Sequence, residues 1–78
     1  MKLEIITPDK KVYEGDVKHA SFPGTDGSFG VLDAHAPLIA TLKAGKVELT
    51  DNANAKHEFN VKGGVVEVQN NKVIVLAE

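Results

Sequence analysis

The residues from Pro23 to Pro37, PGTDGSFGVLDAHAP, concentrate the side-chain types that do chemistry. Glycines stand at 24, 27 and 30, carboxylates at Asp26 and Asp33, a serine at 28 and a histidine at 35. Each chemistry they suggest has a spacing requirement. A phosphate-binding loop needs Gly-x4-Gly-Lys-Ser/Thr entering a helix, and no lysine follows any of these glycines. A dinucleotide fingerprint needs Gly-x-Gly-x-x-Gly inside a βαβ unit, whereas these glycines recur every third residue with no such unit around them. Ser21, Ser28, Asp33 and His35 could supply a nucleophile, an acid and a base, but neither serine sits in a nucleophile-elbow pattern. His19, His35 and His57 lack metal-ligand spacing, and Asp26 and Asp33 lack the acid spacing of a calcium loop. The structural reading asks less. Glycines let a tight turn reach positive φ, and Pro23 sets the entry angle. Phe29, at the tip of such a loop, is then an exposed aromatic suited to contact with another protein, with Asp26 as a charged companion.

The elements that must position this loop have a period of two. Leu3 and Ile5 alternate with Lys2 and Glu4 until Thr7-Pro8-Asp9 ends the strand. Val12, Tyr13, Val17, Ala20 and Phe22 form a longer extended stretch, in which Gly15 predicts a bulge or bend. A short strand is predicted over Ser28–Leu32, then others over Leu38–Leu42, Lys46–Thr50 and Glu58–Val61, with Asp51 to Asn54 as a hairpin loop. Val65–Val68 and Val73–Leu76 flank Gln69-Asn70-Asn71-Lys72, and asparagines tolerate the positive φ of a two-residue hairpin turn. Gly63-Gly64 predicts a bulge or two backbones in close approach. Phe22 and Phe59 read as core. About eight to ten short strands without a capped helix define an all-β chain, a β-sandwich or flattened barrel forming one domain over residues 1–78.

Composition limits the function classes. The chain has 78 residues, 42% of them hydrophobic and 26% charged, with a formal net charge of -2 and no cysteine. No disulfide or thiolate metal site can staple it. It has no basic stripe, so nucleic-acid binding lacks its electrostatic driver, and four aromatics are too few for a base-stacking platform. No apolar run approaches the roughly 18 residues of a membrane helix, so no direct membrane insertion is expected.

Pro23-Gly24, Gly27, Gly30, Leu32, His35, Ala36 and Pro37 together make P-G-x-x-G-x-x-G-x-L-x-x-H-A-P. This pattern resembles the N-terminal domain of the epsilon subunit of F-type ATP synthases. Leu3-Glu4-Ile5-Ile6-Thr7-Pro8 resembles that family's opening strand, and Val12-Tyr13-Glu14-Gly15 its second. Leu42-Lys43-Ala44-Gly45 is similar to its L-K-P-G turn, with alanine in place of proline. Val61–Val68 and Val73–Ala77 resemble its closing hairpin, so the resemblance runs in order along the whole chain.

The resemblance implies a sandwich of about ten strands. It implies a non-catalytic subunit of the rotor's central stalk that couples proton-driven rotation to ATP synthesis, with the gamma subunit and the c-ring as partners and no cofactor or small-molecule ligand. Carried over position by position, Thr25, Asp26, Gly27, Ser28, Phe29 and Gly30 face the c-ring. Ser28 stands where the family often has an acid, and Asp26 is the substitute charge. His35 and Lys10 carry over as gamma contacts. The family's inhibitory C-terminal helical hairpin would begin where Leu76-Ala77-Glu78 ends, so a naturally short subunit is expected. The N-terminus reads as no transit peptide, which fits a bacterial source and a peripheral place on the cytoplasmic face of the inner membrane, and equally a plastid-encoded chain on the thylakoid. The competing readings are a small β-barrel ligand-binding module, which requires a concave pocket with convergent polar groups, and a hydrolase, which requires a nucleophile within hydrogen-bond reach of His35.

Overall fold

The computed structural model describes all 78 residues and contains eight strands and no helix. They are β1 (Lys2–Ile6), β2 (Lys11–Gly24), β3 (Gly27–Leu32), β4 (Leu38–Leu42), β5 (Gly45–Asp51), β6 (Lys56–Val61), β7 (Gly64–Gln69) and β8 (Lys72–Ala77). The pairing order is β1-β8-β7-β4-β2-β5-β6, with β3 on β2 and β1 also on β2. Only β1 and β8 run parallel. The long strand β2 decides the architecture. Its first half pairs with β1, and its second half pairs with β3 and β5. One layer is therefore β1, β8, β7 and β4 with the start of β2, and the other is β3, the end of β2, β5 and β6. The count is eight, near the low end of the eight to ten expected, and β2 passes between the layers unbroken for 14 residues, serving both as one strand.

Alternation explains the core. Leu3 and Ile5 of β1, Val66 and Val68 of β7, and Val73 and Val75 of β8 point inward from one layer. Ala20, Phe22, Val31, Val47 and Leu49 meet them from the other. No polar or charged residue is buried. Phe22 is core as expected, but Phe59 is half-buried, with its ring 5.5 Å from that of Tyr13 along the seam between β6 and the start of β2.

Several turn expectations are met. Asn70 and Asn71 hold φ of 52° and 58°, the hairpin geometry their side chains tolerate. A Cβ on Gly64 would lie 2.2 Å from the Leu76 carbonyl oxygen, so the close backbone approach is real. Gly15 differs from expectation. It pairs in register with Leu3, and the irregularities fall on either side, near Val12 and at Lys18. Its missing side chain makes room for the Tyr13 ring, whose hydroxyl oxygen would stand 3.0 Å from a Cβ there.

Candidate interaction surface

The glycine-rich segment is a β-hairpin rather than an irregular loop. Gly24 pairs with Gly27, which leaves Thr25 and Asp26 as the tip. Of its three glycines only Gly27 takes a positive φ, 129°. Gly24 is required for a different reason, since a Cβ there would sit 2.6 Å from the Gly27 carbonyl oxygen. The tip is fastened to β4: Thr25 N–H donates to the Thr41 carbonyl at 3.0 Å, the two hydroxyls share a hydrogen bond of 2.7 Å, and Lys43 N–H donates to the Pro23 carbonyl at 2.9 Å. Asp26 and Ser28 are exposed, and Asp26 makes no ion pair. Phe29 is not at the tip. It pairs with Phe22, ring centroids 5.5 Å apart, and is half-buried against the core. The aromatic expected as an exposed handle is thus held down by strand alternation, which turns it toward Phe22.

The other two expected contact residues lie at opposite ends of β1. Lys10 is exposed in the turn after it, where the Lys10 carbonyl accepts from Thr7 N–H at 2.9 Å. His35 is exposed in the connection between β3 and β4, with Nδ1 2.7 Å from the Ala36 carbonyl oxygen. That connection is tied to the other end of the sheet by Ala34 N–H, which donates to Asn71 Oδ1 at 2.9 Å. At roughly 3.3 Å per residue, the length of β1 alone separates these ends by about 13 Å. The hairpin tip lies at the Lys10 end: Lys11 pairs with Ile6, Ile6 with Leu76, Leu76 with Val65, and Val65 with Thr41, which bonds Thr25. No serine bonds His35, and the largest groove, about 460 Å³, is an open polar depression over β2, β5 and β6.

Between Lys10 and His35 lies a surface that the loop motifs do not reveal, the outer face of β1, β8, β7 and β4. Ile6, Leu76 and Val65 form one cross-strand row on it, and Ile74 and Ile39, either side of Glu67, belong to the next. Ile39 is 72% exposed and Leu76 53% exposed. The sequence does carry a signal for this face. Val73-Ile74-Val75-Leu76-Ala77 and Leu38-Ile39-Ala40 are apolar without alternation, the pattern of strands covered on both sides.

The flank of this face toward β2 is charged. Glu4 and Glu14 stand directly opposite each other, and lysines relieve the repulsion. Glu4 pairs with Lys11 at 3.1 Å and Lys72 at 3.3 Å, and Glu14 pairs with Lys11 at 3.0 Å and Lys2 at 3.1 Å. Hydrogen bonds from Lys11 first, then Lys72, hold the Glu4 carboxyl below its ordinary value of 4.5. Lys11 and then Lys2 do the same for Glu14. Across the molecule, Asp51 organises the β5–β6 hairpin. Its Oδ1 accepts from Ala53 and Ala55 N–H, each at 2.9 Å, and its Oδ2 lies 2.9 Å from His57 Nε2. The His57 hydrogen bond, then that from Ala55, lowers the Asp51 carboxyl below 3.8. Depressed carboxyls stabilise the fold above their unfolded values and lose that contribution as pH falls through the folded ones. The urea midpoint is therefore expected to fall below about pH 4.5. Asp51→Asn should show a smaller fall than the parent between pH 7 and pH 3, and equal falls would remove Asp51 from the acid-sensitive set.

The two-layer sandwich thus presents an uncovered apolar sheet face, with a fastened hairpin at one end. The sequence profile of the family described as "ATP synthase, Delta/Epsilon chain, beta-sandwich domain" matches residues 1–78, and the chain belongs to that family. It is 44% identical over 77 residues to the ATP synthase epsilon chain of Chlorobium limicola, covering 99% of this chain and 88% of that one. To the epsilon chain of Nitratiruptor it is 41% identical over 78 residues, spanning 60% of that protein. Among solved structures, a chain of the Euglena gracilis mitochondrial ATP synthase assembly of OSCP, F1 and c-ring superposes with a TM-score of 0.90 at 21% identity, over 96% of this chain and 48% of that chain. One from the Tetrahymena thermophila mitochondrial ATP synthase central stalk and c-ring superposes with a TM-score of 0.80 at 18% identity, over 99% of this chain and 62% of that chain. At those identities the likeness shows the shared fold.

Proposed function

We propose that the chain is a non-catalytic rotor subunit of a proton-translocating F-type ATP synthase, bound to gamma, resting on the c-ring and coupling rotation to ATP synthesis. In this reading it sits peripherally on the cytoplasmic face of a bacterial inner membrane. The observation that carries the reading is the uncovered apolar outer face of β1, β8, β7 and β4. Gamma covers this face, with Lys10 and His35 at its two ends. The c-ring takes the hairpin from Thr25 to Gly30. Torque transmission needs stiffness, and short turns with a tip bonded to β4 supply it.

The test is calorimetric titration of the isolated gamma subunit from the same organism. One-to-one binding is expected. Leu76→Asp places a charge in the centre of the apolar row and should weaken binding by about 30- to 1,000-fold, the range of a buried interface anchor. Asn52→Ala, in the β5–β6 turn, should leave affinity unchanged. Absence of binding by the parent, or full binding by Leu76→Asp, would remove the gamma assignment.

A further inference from the structure

We propose that β3 is a strand-accepting edge. An extended segment of a rotor partner pairs with the backbone of Ser28, Gly30 and Leu32 and lays alternate apolar side chains into the groove between β3 and β4. The proposal rests on the rotor reading above and goes beyond it, because contact is made through the main chain rather than through loop side chains.

The pairing pattern leaves this edge open. Strands β3 and β4 border the same seam of the sandwich but belong to different layers and do not pair with each other. The Pro23 carbonyl points to β4, where it accepts from Lys43. By the alternation of an antiparallel ladder, Phe22 and Gly24 then bond β3, through Phe29 and Gly27. The intervening residues of β3, namely Ser28, Gly30 and Leu32, therefore turn their N–H and C=O groups outward. At the tip end of β4 the Thr41 carbonyl accepts from Thr25 N–H, and the Lys43 N–H just past the strand donates to the Pro23 carbonyl, so the hairpin holds β4 there. An added strand thus has β3 as its ladder and β4 as a wall.

Composition separates this edge from the other free edge. Strand β6 carries Lys56 and Glu58, charges of the kind that keep an exposed edge from pairing. Strand β3, GSFGVL, has no charge and no proline, and neither has β4, LIATL. An unguarded edge persists where something covers it. The groove beside it has a volume of about 380 Å³; Phe29, Leu38, Ile39 and Ala40 form its apolar part, and Thr25, Asp26 and Thr41 line the rest. Asp26, on this lining, has no ion-pair partner. The occupant these features fit is an extended segment with small apolar residues at alternate positions and a basic residue toward Asp26.

Residue-resolved amide exchange tests this on the isotopically labelled chain, free and bound to a detergent-solubilised complex of gamma and c-ring from the same organism. Strand addition predicts that the amides of Ser28, Gly30 and Leu32 exchange at least about 30-fold more slowly in the complex, while that of Asn52 is unchanged. Leu32→Lys alters a residue that is 61% exposed, so melting should be unaffected while affinity for the complex falls at least about 10-fold. Binding without protection of these three amides would overturn strand addition and leave the rotor reading intact. No binding would overturn both. Protection that grows with concentration of the chain alone would make a second copy the occupant and overturn the proposal as stated.

Discussion

Gly64→Ala is expected not to accumulate as a folded protein. The added methyl would lie 2.2 Å from the Leu76 carbonyl oxygen and 3.1 Å from the Ala77 Cα, both backbone atoms. Nothing nearby can yield cheaply, because β7 is held between β4 and β8 and Gly64 pairs with Leu42 on one side and Ala77 on the other. Its φ of 145° adds strain that an alanine pays at about 1–3 kcal/mol. Separating the strands to clear the methyl costs further ladder bonds and core contacts. A domain of this size holds a total of roughly 4–12 kcal/mol, so the sum consumes much or all of it. Gly27→Ala is the control that divides strain from crowding. Gly27 also has a positive φ, 129°, but nothing stands within 4 Å of its Cβ position. It should lose only the strain, about 1–3 kcal/mol, and remain folded. Urea melts of both variants decide the matter. If Gly64→Ala lay within about 1 kcal/mol of Gly27→Ala, crowding would not be the reason for glycine at 64.

The same comparison shows what a sequence reveals and where it stops. Gly63-Gly64 and Asn70-Asn71 were readable because each imposes a local condition, a close approach or a positive φ, that few other residues meet. The strands were readable because alternation is local too. The role of Gly15 depends on a long-range fact: its space is filled by Tyr13, and no periodicity reports which side chain leans over a glycine. The glycines around Phe29 suggest a loop tip, yet strand alternation sets it against Phe22. The apolar outer face was half legible. Continuous apolar runs in β8 and β4 announce two covered faces, but only the register of β1, β8, β7 and β4 brings Ile6, Leu76 and Val65 into one row. The separation of Lys10 from His35 likewise belongs to topology, since residues distant in the chain reach the two ends of one sheet.

Phe22→Ala is expected to cost about 3–5 kcal/mol, the usual range for truncating a fully buried aromatic. Phe22 is 1% exposed and is the largest of the fully buried side chains, so its removal leaves a cavity beneath β3. Phe22→Leu keeps most of the volume and should lose far less, about 1.5 kcal/mol. The informative member of the set is Phe29→Ala. Phe29 lies over Phe22 and is only half-buried, so its truncation should cost about 1–2 kcal/mol, less than the Phe22 penalty. Equal losses in urea melts would make Phe29 a core residue and withdraw it from the contact surface. The expected ordering keeps it in both roles, one ring face closing the core and the other lining the groove beside β3. A partner segment entering that groove would then bury what remains exposed of Phe29. Phe29→Ala should therefore weaken binding to the gamma and c-ring complex by more than its effect on stability explains, because the folded fraction at 25 °C stays near one while the groove has lost part of its floor.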